Sequence, residues 1–182
     1  MPGVLSVSVP RHGDARGFFA ETYNQKAYSR AGIEATFLQD NHSVSELVGT
    51  VRGLHYQTPP HAQAKLVRCG RGSLFDVAVD IRTGSPTYGH WYGEVLSFEN
   101  GRQLYIPEGF AHGFMTLEDD TEIVYKCSDF YAPECEGAVR FDDPDIGIDW
   151  PDVDRGITLS EKDATAPLLR DVKSPFNFEV RT

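Results

Sequence analysis

Six stretches of this chain alternate between apolar and polar residues: "VLSVSV" (4–9), "KLVRC" (65–69), "SLFDVAVDI" (73–81), "YGEVLSF" (92–98), "QLYI" (103–106) and "TEIVYKC" (121–127). A period of two puts successive side chains on opposite faces of a strand. Turn clusters "GRG", "TGSP", "ENG", "PEG" and "EDD" punctuate the series. Many short strands at near-regular spacing predict an all-β antiparallel sandwich or barrel, not parallel units with crossover helices. At 182 residues the chain is expected to form one domain, 1–182, around one core. Only two helices are expected. One is "NQKAYSRAG", with Asn24 as N-cap and Gly32 as terminator; the other is a turn near "SEKDA", capped by Ser160. The stretch 141–156, "FDDPDIGIDWPDVDRG", predicts an ordered connection whose Ile146, Ile148 and Trp150 pack onto the sheet. The part from about 141 onward is therefore expected to be an extension lying on the barrel.

A formal net charge of −10 argues against nucleic acid or an anionic membrane as partner. It leaves room for one small anionic ligand held by a local group of Arg and Lys. No long apolar run occurs, and the first residues lack a basic region followed by an apolar signal core. Cys69, Cys127 and Cys135 are odd in number, widely spaced and without a CxxC pair, which predicts reduced thiols. Together these features predict a cytoplasmic protein.

The chemistry concentrates in "VRGLHYQTPPHAQAKLVR", residues 51–68, where ionisable groups interrupt sheet-forming residues. If 51–57 is a strand, strict alternation sends Arg52, Leu54 and Tyr56 to one face and Val51, Gly53, His55 and Gln57 to the other. Arg52 and His55 would then point oppositely, and His55 alone reads as well as a structural histidine. In "IPEGFAHGF" (106–114), Pro107 and Gly109 make a turn that delivers His112 to the next strand. The same turn brings metal-binding histidines into small barrels, but such sites draw on an H-x-H pair, and here Tyr56 and Gln57 follow His55. Tyr125 and Tyr131 read first as packing. Lys162 and Asp163 read as a solvated cap unless Asp163 folds back onto His55, where it would orient the ring and raise its basicity.

The ordered series "DARGFFAETYN", "FLQDNHS", "VRGLHYQ", "AKLVR", "FDVAVDIR", "SPTYGHW", "RQLYIPEGFAHGF", "YKCSDFYAPECEG" and "IGIDWP…LSEKDATAPLL" resembles the dTDP-4-dehydrorhamnose 3,5-epimerase family from about residue 13 to 170. The resemblance implies a cupin-like jelly roll, usually a homodimer, that uses neither a metal nor another cofactor. Its substrate would be a dTDP-4-keto-6-deoxyhexose, inverted at C3 and C5. It further implies His55 as general base, Asp163 as the carboxylate orienting it and Tyr125 as proton donor. Arg16, Glu21, Gln39, Asn41, Arg52, Lys65, His112, Glu136 and Lys162 match substrate contacts, and Tyr131 matches the tyrosine that stacks on thymine. A C4 ketone acidifies the hydrogens on C3 and C5, so a neutral imidazole can remove them. Lys65 is then the expected donor to the enolate oxygen. The sequence departs from the family pattern at Ala64, where glycine is common, at Phe130, where tyrosine is common, and at Cys135 beside Glu136. The last dozen residues lie outside the match.

Three other functions share some of these features. They are a mono-epimerase inverting C3 or C5 only, a metal-dependent cupin enzyme using His55 and His112, and a non-catalytic sugar-binding jelly roll. Segment 4–9 also predicts a terminal strand added to a neighbouring subunit's sheet.

Overall fold

The computed structural model describes residues 1–179. Two five-stranded antiparallel sheets face one another. The first holds β1 (Leu5–Ser8), β9 (Arg102–Ile106), β6 (Lys65–Arg71), β11 (Thr121–Cys127) and β4 (Gln39–Ser45), in that order. The second holds β12 (Glu136–Ala138), β5 (Val51–Gln57), β10 (Phe110–Thr116), β7 (Ser73–Asp80) and β8 (Trp91–Ser97). A separate hairpin pairs β2 (His12–Asp14) with β3 (Gly17–Phe19). The helices are short: α1 (Gln25–Arg30) is capped by the Asn24 side chain, and α2 (Glu161–Ala164) by Ser160, as the sequence predicts. This is the cupin-like all-β sandwich expected above.

Apolar material fills three layers. Between the sheets, Val67, Cys69, Leu104, Ile106 and Ile123 of the first meet Leu74, Ala78, Leu96, Phe110 and Phe114 of the second. On the outside of the first sheet, Leu66 packs with Tyr28 and Ile33 near α1. On the outside of the second, Leu54, Tyr56, Val77, Val79 and Ala111 are covered by Val139, Ile146 and Leu169, with Ile148 and Trp150 against them. The predicted connection after residue 141 is thus an ordered cover. With both faces of the second sheet occupied, every residue of β10 is buried.

Strand β1 pairs with β9 of its own chain, from Leu5 opposite Tyr105 to Ser8 opposite Arg102, and so lies at the edge of its own first sheet. One expectation is corrected: the alternation of β5 breaks. His112 lies opposite His55 and Phe114 opposite Arg52, so three steps along β5 match two along β10. A bulge of this kind resets which face each side chain takes, and Arg52 and His55 line one cavity instead of opposite faces. The bulge centres on Gly53, at φ +127°, where an added Cβ would lie 2.6 Å from the Gly113 Cα and 2.8 Å from the His112 carbonyl oxygen. Only glycine allows β5 and β10 to approach so closely.

This geometry predicts that Gly53→Ala is markedly more damaging than Gly17→Ala. Both positions have φ +127°, but nothing lies within 4 Å of a Cβ at Gly17. The Gly17 variant should lose only the backbone penalty, about 1–3 kcal/mol, while the Gly53 variant adds an overpacking cost of about 1–3 kcal/mol. Equal losses in urea denaturation would contradict the close-approach argument.

Candidate active site

The bulge matters because it gathers ionisable groups at one end of the sandwich, beyond the apolar core. From the second sheet come Arg52, His55 and His112; from the first come Lys65 and Tyr125. A cavity of about 430 Å³ is lined by these residues together with Ser43, Lys162 and Asp163. A neighbouring cavity of about 530 Å³ shares His55, Lys65 and Tyr125 with it and adds Gln39, Asn41, Tyr131 and Glu136. The shared trio therefore stands where the two cavities meet.

Asp163 folds back as the conditional reading required. Ser160 caps α2 by accepting the Asp163 N–H at 3.1 Å, which turns the carboxylate inward to a position 3% exposed. Its Oδ1 lies 2.6 Å from His55 Nε2. An ionised carboxylate can only accept, so Nε2 carries the hydrogen and Nδ1 is left as the basic nitrogen. Burial pushes the His55 pKa below its ordinary value; the hydrogen bond and charge of Asp163 oppose that, while Lys65 and Lys162 add to it. The net result is an imidazole that is neutral at neutral pH.

On the facing sheet, Tyr125 is partly buried, and burial raises its phenol pKa, with the Cys127 thiol adding to the rise and Asn41 and Arg52 opposing it. The hydroxyl keeps its proton. Burial pushes Lys65 down, opposed by Cys127, Asp76 and Glu136. Lys162, next to Asp163 on α2, donates to Glu136 at 2.5 Å, and this contact holds the Glu136 carboxyl below its ordinary range. Arg52 is tied back to the edge of the first sheet, donating to the Ser45 hydroxyl at 3.2 Å and the Val44 carbonyl at 3.1 Å.

His112 donates through Nε2 to Asp76 at 2.8 Å. Asp76 is fully buried, and its second oxygen has no partner among the described residues. Sequence reading missed Asp76, which sits inside the alternating run 73–81, opposite Phe114. Among the described residues, no group of three or more His, Cys, Asp or Glu side chains is placed to hold a metal ion. His55 and His112 face different carboxylates. The three cysteines are free and buried.

Two of the expected contacts stand elsewhere in this chain. Arg16 is strongly exposed, with its guanidinium on Asp14 at 2.5 Å. Glu21 accepts from Asn24 at 2.9 Å and lines a groove between β1 and α1, on the outside of the first sheet. The hairpin preceding it stacks Phe18 near Phe98, with Arg11 over both rings. Phe19 is 69% exposed.

Comparison with known proteins points the same way as the geometry. A family model described as dTDP-4-dehydrorhamnose 3,5-epimerase matches residues 1–171. The dTDP-4-dehydrorhamnose 3,5-epimerase of Salmonella typhimurium is 52% identical over 170 residues, covering 93% of this chain and 92% of that protein. Among solved structures, the dTDP-6-deoxy-D-glucose-3,5-epimerase of Legionella pneumophila in complex with dTDP-4-keto-L-rhamnose superposes with a TM-score of 0.93 at 45% identity, covering 97% of this chain and 94% of that one. A 3'-monoepimerase from Streptomyces bikiniensis in complex with dTDP-quinovose is also similar, with a TM-score of 0.85 at 39% identity over 92% of this chain and 84% of that one. A match across almost the whole chain, at this identity, means that the protein belongs to the dTDP-4-dehydrorhamnose 3,5-epimerase family.

Proposed function

We propose that this isomerase takes dTDP-4-dehydro-6-deoxy-D-glucose to dTDP-4-dehydro-L-rhamnose, with His55 as the base and Tyr125 as the acid. The observation that carries the reading is their placement. His55 stands on one sheet and Tyr125 on the facing sheet, both on the walls shared by two joined cavities. A flat enolate held between the sheets would lose a proton to one side and receive one from the other, which is inversion.

The steps balance as follows. His55 Nδ1 takes the hydrogen from C3 or C5, and the electron pair delocalises onto the C4 oxygen. Lys65 stabilises that oxygen, a role in which a preorganised donor is worth far more than in water. Tyr125 gives its proton to the opposite face of the carbon, leaving a phenolate beside Arg52. Solvent then removes the proton from His55 and restores that of Tyr125. The nucleotide end would lie in the cavity lined by Gln39, Asn41, Tyr131 and Glu136, with the Tyr131 ring on the thymine. Lys162, by holding Glu136, frames the passage between the two cavities.

The protein is further read as a homodimer. Arg16 and Glu21 match contacts to substrate, yet they lie on the outside of the first sheet, where their own cavity is out of reach. A second copy placed against this face would receive the hairpin 12–19 and bring those groups to its site. No helix among the described residues is long and apolar enough to cross a membrane. The three free thiols support a reducing, cytoplasmic setting.

Three measurements test these readings. In deuterated water, His55→Ala should lower exchange at both C3 and C5 by on the order of 10²–10⁴, while Tyr125→Phe should wash deuterium in faster than it forms inverted product. If the Phe variant inverts at the wild-type rate, the acid is another group. Deuterium at only one carbon in the wild type would make the protein a mono-epimerase.

The acid limb of kcat/KM should fall below pH 6.5, because the folded-state pKa of His55 is lowered and only the neutral ring is a base. Asp163→Asn removes the charge that raises that pKa, so the limb should move to still lower pH while the rate drops by roughly 10²–10⁴. A limb that stays in place, or moves to higher pH, would separate Asp163 from the base.

For the dimer, equal mixing of His55→Ala with Arg16→Ala should regain about a quarter of wild-type activity, since half the pairs are mixed and each has one intact site. No recovery, together with sedimentation at 20.3 kDa, would leave a monomer.

A further inference from the structure

Gln57 ends the motif "VRGLHYQ", and no step of the reaction uses it. Its side chain is buried, yet it bonds to backbone groups of two separate loops. Oε1 accepts the Ala132 N–H at 2.9 Å, while Nε2 donates to the Phe130 carbonyl at 3.1 Å and the His61 carbonyl at 2.6 Å. An N–H can only donate and a carbonyl can only accept, so this amide has one possible orientation. The bonds to Phe130 and Ala132 bracket Tyr131 on both sides. The backbone of Gln57 is engaged as well, lying opposite Glu136 in the β5–β12 ladder, so one residue grips loop 128–135 in its middle and just past its end. Further bonds join that loop to connection 58–64. The Ala64 N–H donates to Ser128 Oγ at 2.8 Å, Gln63 Nε2 donates to the Asp129 carbonyl at 2.8 Å, and His61 Nδ1 meets Asp129 Oδ2 at 3.0 Å.

The loop so held carries Phe130 and Tyr131, both exposed, and Tyr131 stands on the wall of the second cavity with His55, Gln57 and Glu136. A ring presented on an irregular segment binds weakly if it must be ordered at the moment of binding. Here the ordering is done beforehand, by the strand that holds His55. His55 and Gln57 are two residues apart, about 7 Å along β5, and both line that cavity. We propose that Gln57 is a positioning residue for the nucleotide: it pins the Tyr131 loop to the strand of the base, and so sets how far the stacked thymine lies from the carbon that His55 reaches. This rests on the reading that places the thymine on Tyr131. The grip acts through the backbone of residues 130 and 132, so the phenylalanine at 130, where tyrosine is common, leaves it intact.

Gln57→Glu keeps the volume and still accepts from Ala132, but it sets a carboxylate oxygen against the Phe130 and His61 carbonyls, so the loop must move away. Gln57→Met keeps the volume, adds no charge and removes all three bonds, which covers the case in which the charged variant does not fold. With folding checked by circular dichroism, calorimetric titration should show dTDP bound about tenfold more weakly by either variant, the order that one lost aromatic–base stack costs. KM should rise alongside. Turnover, read as deuterium exchange at saturating substrate, should fall by less than KM rises, because His55 and Asp163 are untouched. In the Tyr131→Ala background either substitution should weaken dTDP by less than about twofold more, since the ring it displaces is gone. Wild-type dTDP affinity in folded Gln57→Met, a loss of turnover with KM unchanged, full additivity with Tyr131→Ala, or a failure of both variants to fold would each overturn this role. The underlying reading fails differently: Tyr131→Ala would then bind dTDP as tightly as the wild type, and the role of Gln57 would fall with it. If Tyr131→Ala weakens dTDP and the Gln57 variants do not, Gln57 alone is misassigned.

Discussion

The contact between His55 Nε2 and Asp163 Oδ1 spans 108 residues of sequence, and the arrangement of the site depends on it. A histidine buried alone inside a sandwich loses basicity, because desolvation disfavours the protonated form it must pass through. Asp163 offsets part of that loss and fixes the ring tautomer at the same time. To do so it must itself be buried, which a carboxylate tolerates only when it is partnered. Ser160 and the short α2 turn deliver it to that position, and the Gly53 N–H reaches its second oxygen at 3.4 Å. His55, the buried carboxylate beside it and the bulged strand thus form one unit.

A core that carries Arg, His, Lys and Asp needs apolar stabilisation elsewhere. The sandwich provides it by dividing its interior lengthwise and by covering the outside of both sheets. The inner cluster around Val67, Leu104 and Phe110 fills one end, and the two outer clusters bury the faces that an ordinary antiparallel sheet would leave to water. This is why residues of β5, β7 and β10 are apolar on both sides even though the strands alternate.

Alternation made the apolar strands legible, and failed where the inner face is chemical. Strand β4 turns Gln39, Asn41, Ser43 and Ser45 inward, so no hydrophobic period marks it. Strand β5 shows the second kind of miss. Its period is real on both sides of Gly53, but one extra residue in the ladder reverses the phase, and that residue is identified only by its partner, β10. The dyad was legible as a condition, because "SEKDA" supplies a cap and a carboxylate while nothing local says which histidine it will meet. Asp76 was hidden by its neighbours, a polar residue in the middle of a strand whose Leu74, Phe75, Val77, Ala78 and Val79 read as core. The ordered motif series carried the assignment of roles beyond what any one of these patterns could.

The cover on the second sheet has a consequence for how the protein comes into being. Residues from 139 to 172 supply both the apolar blanket over β5 and β7 and the carboxylate that meets His55. A chain emerging from the ribosome adds roughly 5–20 residues per second, so about 5–20 s separate the synthesis of His55 from that of Asp163. Until that segment is made, the outer face of the second sheet has no cover and His55 has no carboxylate beside it. The nascent chain therefore lacks the His55 partner and exposes its most adhesive surface at the same time, and both conditions end together when the same late segment docks.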